Sequence, residues 1–221
     1  HVLNKKSYLD AIYLGQGETA KNPIPPTMWS YNDDVKEYDY DPAKAKEMLS
    51  QAGFPRGFDA ELWTLPVSRP YNPNGKKMGE MMMADLAKIG VRVKLISYDW
   101  PTYLEKSKKG EHQLLQMGWT GDNGDPDNFL NVLLSCSASD AGANRAFWCN
   151  RKFDEIVIKA KSLTDIAERT KLYKEAQILV KEEAPWVPIA HSIAFRAMRK
   201  NVVGYEMDPL GADNFYYVEL K

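Results

Sequence analysis

The chain has 221 residues, 44% of them apolar, enough to bury a sizeable core in one or two domains. Its 29 basic and 30 acidic residues leave a net charge of -1, which argues against a nucleic-acid binder, since that would carry a basic surplus or stripe. No apolar run is long enough to cross a bilayer as a helix.

The opening, His1-Val2-Leu3-Asn4-Lys5-Lys6, reads as the interior of a helix rather than a signal peptide, so a fragment or processed piece is expected. Residues 22–40 are proline-rich and polar without a sustained period, as expected of an extended surface loop. A helix follows over 41–53: Asp41 caps it, Pro42 opens it, Ala45, Met48, Leu49 and Ala52 form an apolar face, and Gly53 ends it.

A strand is expected around 60–64, a helix over about 74–88 and a second strand over 91–96. Together they make a βαβ unit, most simply a parallel pair with a right-handed crossover. Residues 100–109 read as a helix whose Glu105, Lys106, Lys108 and Lys109 form a solvated face. Residues 113–119 read as a buried strand, and 126–134 as a helix. Two further helices are expected over 152–162 and 166–183, the second capped by Thr164 or Asp165. Residues 185–191 read as a short edge strand bounded by prolines. From Ser192 onward come short alternating segments.

Gly118-Trp119-Thr120-Gly121-Asp122-Asn123-Gly124-Asp125-Pro126-Asp127-Asn128-Phe129 carries one more carboxylate than its local structure needs. Asp125-Pro126 is a helix start, and Asp127 in the first turn suits the helix dipole. Asp122 has no such duty and stands at the mouth of a strand, placed to hold a cation. The residues alone favour a plainer reading, an Asx-turn in a glycine-rich segment. As a calcium loop the run fails, because Gly124 and Pro126 fall where oxygen ligands belong.

Arg69, in the loop after the first βαβ strand, is the matching cation candidate. Ligand loops sit there in open α/β sheets, and a guanidinium meets a carboxylate with two parallel bonds. Tyr71 and Trp119 either wall such a pocket or are plain core. Cys136 and Cys149 fit either a disulfide or two free thiols. His112 and Cys149 are weak candidates for a base and a nucleophile, since no nucleophile elbow, zinc-protease helix or phosphate loop accompanies them. The histidines, His1, His112 and His191, lack ligand spacing to either cysteine, so no metal is expected.

The 118–129 run, with Gln16-Gly17, Lys21 to Trp29, Tyr31 to Val35, Arg69 to Asn74, Gly110 to Gln113 and Asp208 to Gly211, resembles the second lobe of the periplasmic dipeptide-binding receptors of ABC importers. The resemblance runs through nearly the whole chain. It implies an α/β fold, one lobe of a type II-like binding protein with a mixed sheet flanked by helices. Residues 1–192 would form the lobe, and 193–221 would return to a first lobe that this chain lacks. Asp122 would hold a dipeptide's amino terminus and Arg69 its carboxylate, ends roughly 7 Å apart in an extended ligand. Cys136 would be bridged to Cys149. The resemblance further implies reversible binding without catalysis or cofactor, a periplasmic location, and an inner-membrane ABC permease as partner. The alternatives are a receptor of the same build for longer peptides or a non-peptide ligand and, less favoured, a peptide hydrolase.

Overall fold

The structure, a computed structural model, describes residues 1–221. The first helix, α1 (Lys5–Ile12), starts where the side chain of Asn4 accepts a bond from the Ser7 amide at 3.1 Å. The opening residues are therefore a capped helix start and not a helix interior, because Asn4 satisfies an amide that an interior residue would leave to the backbone. Strand β1 (Gly17–Thr19) follows, then the irregular 22–40 loop, whose Ile24, Asn22, Ser30 and Asn32 are buried.

Helix α2 (Pro42–Gln51) is capped by Asp41, which accepts from the Lys44 amide at 2.9 Å. Its expected apolar face is only half realised. Ala45 and Leu49 touch the core, while Met48 stays exposed and no residue of the helix is fully buried. Strand β2 (Asp59–Trp63), helix α3 (Gly75–Ala87) and strand β3 (Arg92–Ile96) form the βαβ unit, the strands paired in parallel from Asp59↔Arg92 to Trp63↔Ile96. Asp85 of α3 is 5% exposed and accepts from Tyr8 Oη at 2.5 Å and the Asn4 amide at 2.9 Å, which pins α1 to α3.

Helix α4 (Trp100–Lys108) starts from Asp99, and its charged face is solvated, with Lys109 on Glu105 at 2.7 Å. Strand β4 is far shorter than the seven residues expected. Only Leu114–Leu115 pair, parallel to Leu62 and Trp63, and the last rung is the Gln116 amide donating to the Trp63 carbonyl at 3.0 Å. Beyond Trp63 the chain bonds on to β3 alone, the Thr64 amide to the Ile96 carbonyl at 2.9 Å, so residues 117–119 find no partner strand. Met117 and Trp119 are 38% and 39% exposed rather than buried.

Helices α5 (Asp127–Leu134), α6 (Cys136–Asp140), α7 (Arg151–Ser162) and α8 (Ile166–Glu183) build a second core around Leu130, Leu134, Phe153, Val157 and Tyr173. Asp165 caps α8, and the Cys136–Cys149 disulfide closes the α6 loop. The 22–40 loop lies across α8, where Gln177 accepts from the Asn32 amide and donates to the Ser30 carbonyl, each at 2.9 Å.

Strand β5 (Ala190–Ser192) pairs antiparallel with β1. It begins later than the expected 185–191 because Pro185 and Pro188 have no amide to donate, so pairing opens at the Ile189 carbonyl. A Cβ on Gly17 would fall 2.5 Å from the His191 carbonyl, at φ 137°, so this close crossing demands glycine. Strands β6 (Val202–Val203) and β7 (Glu219–Leu220) form an antiparallel pair in a segment where no residue from 193 onward is buried. Parallel and antiparallel pairing are thus divided among three small sheets.

Candidate functional site

The three-stranded sheet runs β3-β2-β4 with all strands parallel, so its three following loops leave from one edge. Ligands bind at that carboxyl edge in open parallel sheets. Trp100 stands beyond β3, Arg69 beyond β2, and the 118–129 run beyond β4.

Arg69 sits in a tight turn closed by reciprocal backbone bonds, its amide to the Asn72 carbonyl at 3.1 Å and the Asn72 amide to its carbonyl at 3.0 Å. Its guanidinium carbon lies 4.9 Å from the centre of the Trp100 ring. Tyr71 is held at its carbonyl by Tyr13 Oη at 2.7 Å, and a Cβ on Gly118 would fall 2.2 Å from its ring. The Tyr71 ring therefore lies directly on the Gly118 backbone and joins the Arg69 loop to the Asp122 run. Burial pushes the Tyr71 phenol up, opposed by the nearby guanidinium.

Beneath the rim, the buried Gln116 braces both loops. Its Oε1 accepts from the Leu65 amide at 3.1 Å and from Asn72 Nδ2 at 3.4 Å, while Tyr103 Oη donates to its carbonyl at 2.5 Å. Asp122 is exposed, and its carboxylate is held by Asn128 instead of closing an Asx-turn on its own backbone. Asn128 Nδ2 donates to Asp122 Oδ2 at 3.1 Å, and Asn128 Oδ1 accepts from the Asp122 amide at 3.0 Å and from Trp119 Nε1 at 2.8 Å. Asp125 accepts from the Asp127 amide at 3.0 Å, as a helix-start residue should, and also takes Arg169 Nη2 at 2.7 and 2.8 Å.

Neither Asp122 nor Arg69 forms an ion pair within the chain. Asp122 and Arg69 thus stand on this edge as an anion and a cation, each oriented by a neutral neighbour and neither neutralised within the chain. That arrangement suits a ligand with opposite charges at its two ends. Trp100, Gln116 and Arg169 serve partners distant in the chain and stand in no recognisable motif, whereas Asn128 lies within the 118–129 run, where its bonds back to Asp122 and Trp119 depend on how the run folds.

His112 and Cys149 make no base and nucleophile pair. Cys149 is spent in the disulfide, and His112 Nε2 faces the Arg145 carbonyl at 2.8 Å with its ring against Trp63. Burial holds the His112 imidazole below its ordinary range, opposed by the bond to the Arg145 carbonyl. No three His, Cys, Asp or Glu side chains converge as a metal site requires. An apolar hollow of about 390 Å³, lined by Leu49, Phe58, Leu86, Ile89 and Leu114 among others, opens at the opposite, amino ends of the strands and holds none of the candidate residues.

The family model for bacterial extracellular solute-binding proteins, family 5 Middle, matches residues 1–141. The chain is 50% identical to the dipeptide-binding protein of Escherichia coli over 100% of its own length and 41% of that protein's. It is 47% identical to heme-binding protein A of Haemophilus influenzae, over 100% of this chain and 40% of that one. The crystal structure of a dipeptide-binding protein from a Pseudoalteromonas species in complex with Met-Leu superposes with a TM-score of 0.93 at 39% identity, covering 100% of this chain and 44% of that one. The chain therefore spans about two fifths of the length of the curated relatives it matches.

Proposed function

The chain belongs to the bacterial extracellular solute-binding proteins of family 5, with the type II-like periplasmic binding fold, and on that premise we propose that it is the dipeptide-binding lobe of an ABC-importer receptor. Asp122 takes the ligand's ammonium, Arg69 takes its carboxylate, and Trp119 and Tyr71 flank the backbone between them. Binding is reversible and involves no catalysis. Residues 1–192 form the lobe and 193–221 lead to a first lobe, whose closure traps the peptide. The receptor works in the periplasm and delivers to a permease in the inner membrane.

The observation that carries this reading is the pair of unneutralised opposite charges on one sheet edge, joined through the contact of Tyr71 with Gly118. Calorimetry on the full-length receptor that carries this chain tests it. Asp122→Ala should weaken a free dipeptide at least a hundredfold, since an ammonium enclosed without its partner costs about 3 kcal/mol or more. Arg69→Ala should act likewise, and blocking the matching ligand end should abolish each effect. Unchanged affinity in Asp122→Ala removes the assignment.

The relative named heme-binding protein A supports a second reading, a receptor for a carboxylate-bearing non-peptide ligand. Such a ligand uses Arg69 over Trp100 and has no ammonium for Asp122. Hemin titration followed by its visible absorbance separates the two: the second reading requires binding that survives Asp122→Ala and fails in Arg69→Ala.

A further inference from the structure

We propose that Asn128 is the positioning residue of the ammonium subsite, one buried amide that fixes the carboxylate of Asp122 and the indole of Trp119 in a single arrangement. The inference rests on the reading of Asp122 as the ligand's anion and deepens it.

Asn128 is 8% exposed at the start of α5, on an element held by the second core. Its orientation follows from chemistry. Trp119 Nε1 and the Asp122 backbone amide can only donate, so the atom facing both at 2.8 and 3.0 Å must be the carbonyl oxygen Oδ1. Nδ2 then faces Asp122 Oδ2 at 3.1 Å and donates to it. Three of the amide's bonding positions are thus occupied by the two residues that would meet the ligand.

Asp122 is bound twice by the same side chain, once through its backbone and once through its carboxylate. An exposed aspartate in a glycine-flanked run is otherwise free to turn, and ordering it at the moment of binding would subtract from affinity. With Oδ2 taken by Asn128, Oδ1 has no partner in the chain and is the atom turned over to an ammonium. Leucine at 128 offers no bonds, aspartate would set carboxylate against carboxylate, and serine is too short to reach both residues. Trp119 bonds to the same oxygen as the Asp122 amide, so one acceptor atom fixes the indole and the Asp122 backbone together.

A double-mutant cycle in the full-length receptor tests this, with alanyl-alanine as the probe and calorimetry as the readout. Asn128→Leu should weaken binding about tenfold where Asp122 is present and less than twofold in the Asp122→Ala background. A second readout is Trp119 emission, taken as the difference from a Trp119→Phe control, which should shift in Asn128→Leu as its indole N–H loses the acceptor. Should Asn128→Leu fail to fold by its melting curve, Asn128→Ser replaces it and the same two numbers are read. Equal losses in both backgrounds, or no loss where Asp122 is present, overturn the positioning role while leaving the site intact. An Asp122→Ala receptor that binds normally removes the site itself and is recognised before the cycle is closed.

Discussion

The guanidinium carbon of Arg69 stands 4.9 Å from the centre of the Trp100 ring, although Arg69 comes from the loop after β2 and Trp100 from the first turn of α4, after β3. The indole attracts the cation through its negative face and leaves the in-plane N–H edges open to a carboxylate. Trp100 in turn stacks on Tyr103 at 5.8 Å, whose hydroxyl is bonded to the buried Gln116 carbonyl, so the ring is itself anchored. Replacing it by leucine keeps apolar bulk and removes the face. Trp100→Leu in the full-length receptor should weaken a free dipeptide about fivefold, near 1 kcal/mol. A dipeptide amidated at its carboxyl end should show no change, and calorimetry with the two ligands makes the comparison.

The Cys136–Cys149 bridge spans a sequence separation of 13 and ties α6 to the segment leading into α7. A loop of this size gives up about 3 kcal/mol of unfolded-state entropy when cross-linked. Cys136→Ser with Cys149→Ser should therefore lower unfolding stability by about that amount, read from urea midpoints. A reducing agent should do the same to the parent chain and nothing further to the double variant.

What the sequence disclosed and what it concealed divide along a physical line. Asp41-Pro42 and Asn74 act within one helical turn, and their helices start where local chemistry puts them. The parallel pairing of β2 and β3 followed from period and connection, again properties of contiguous sequence. Strand β4 did not, because an apolar run reads as buried whether or not a partner strand continues beside it, and here its pairing with β2 stops at the Gln116 bond to Trp63. Asp122 and Arg69 were singled out by a resemblance laid over local chemistry. Their supports were not, since Asn128 bonding back to Asp122 and Trp100 lying under Arg69 are facts of three-dimensional approach. Tyr71 and Trp119 could be weighed between wall and core only once their surroundings were known; Trp119 proves partly exposed, while Tyr71 is half-buried against Gly118.

His191 lies in β5 with its Nε2 buried and without a partner, and burial, reinforced by the charge of Lys5, pulls its pKa down to about 4. In the unfolded chain the imidazole titrates near 6.5, so between about pH 6.5 and 4 the unfolded state binds the proton that the folded state refuses. Stability from this group is fully present above about 6.5 and falls as the solution is acidified toward 4. The loss amounts to about 3 kcal/mol across that window. Urea unfolding of His191→Gln, which cannot titrate, should show a flatter pH dependence between pH 4 and 7 than the parent. Identical slopes would remove His191 as the source.

Gly118 is glycine for want of room, since the space a Cβ would fill is already occupied by the Tyr71 ring at 2.2 Å. Its backbone is not in the left-handed region, so the constraint is steric rather than conformational. Gly118→Ala must push the ring away, and overpacking of this kind costs about 1–3 kcal/mol. The displacement also separates the Arg69 turn from the Asp122 run, which this contact holds together. Affinity for a free dipeptide in the full-length receptor should therefore fall along with stability. In a Tyr71→Ala background, where there is no ring to displace, Gly118→Ala should cost almost nothing further in stability measured in urea. Affinity should not return in the double variant, because the contact spacing the two charged loops is then absent. A double variant that regains dipeptide affinity would mean that the Tyr71–Gly118 contact plays no part in setting the distance between Arg69 and Asp122.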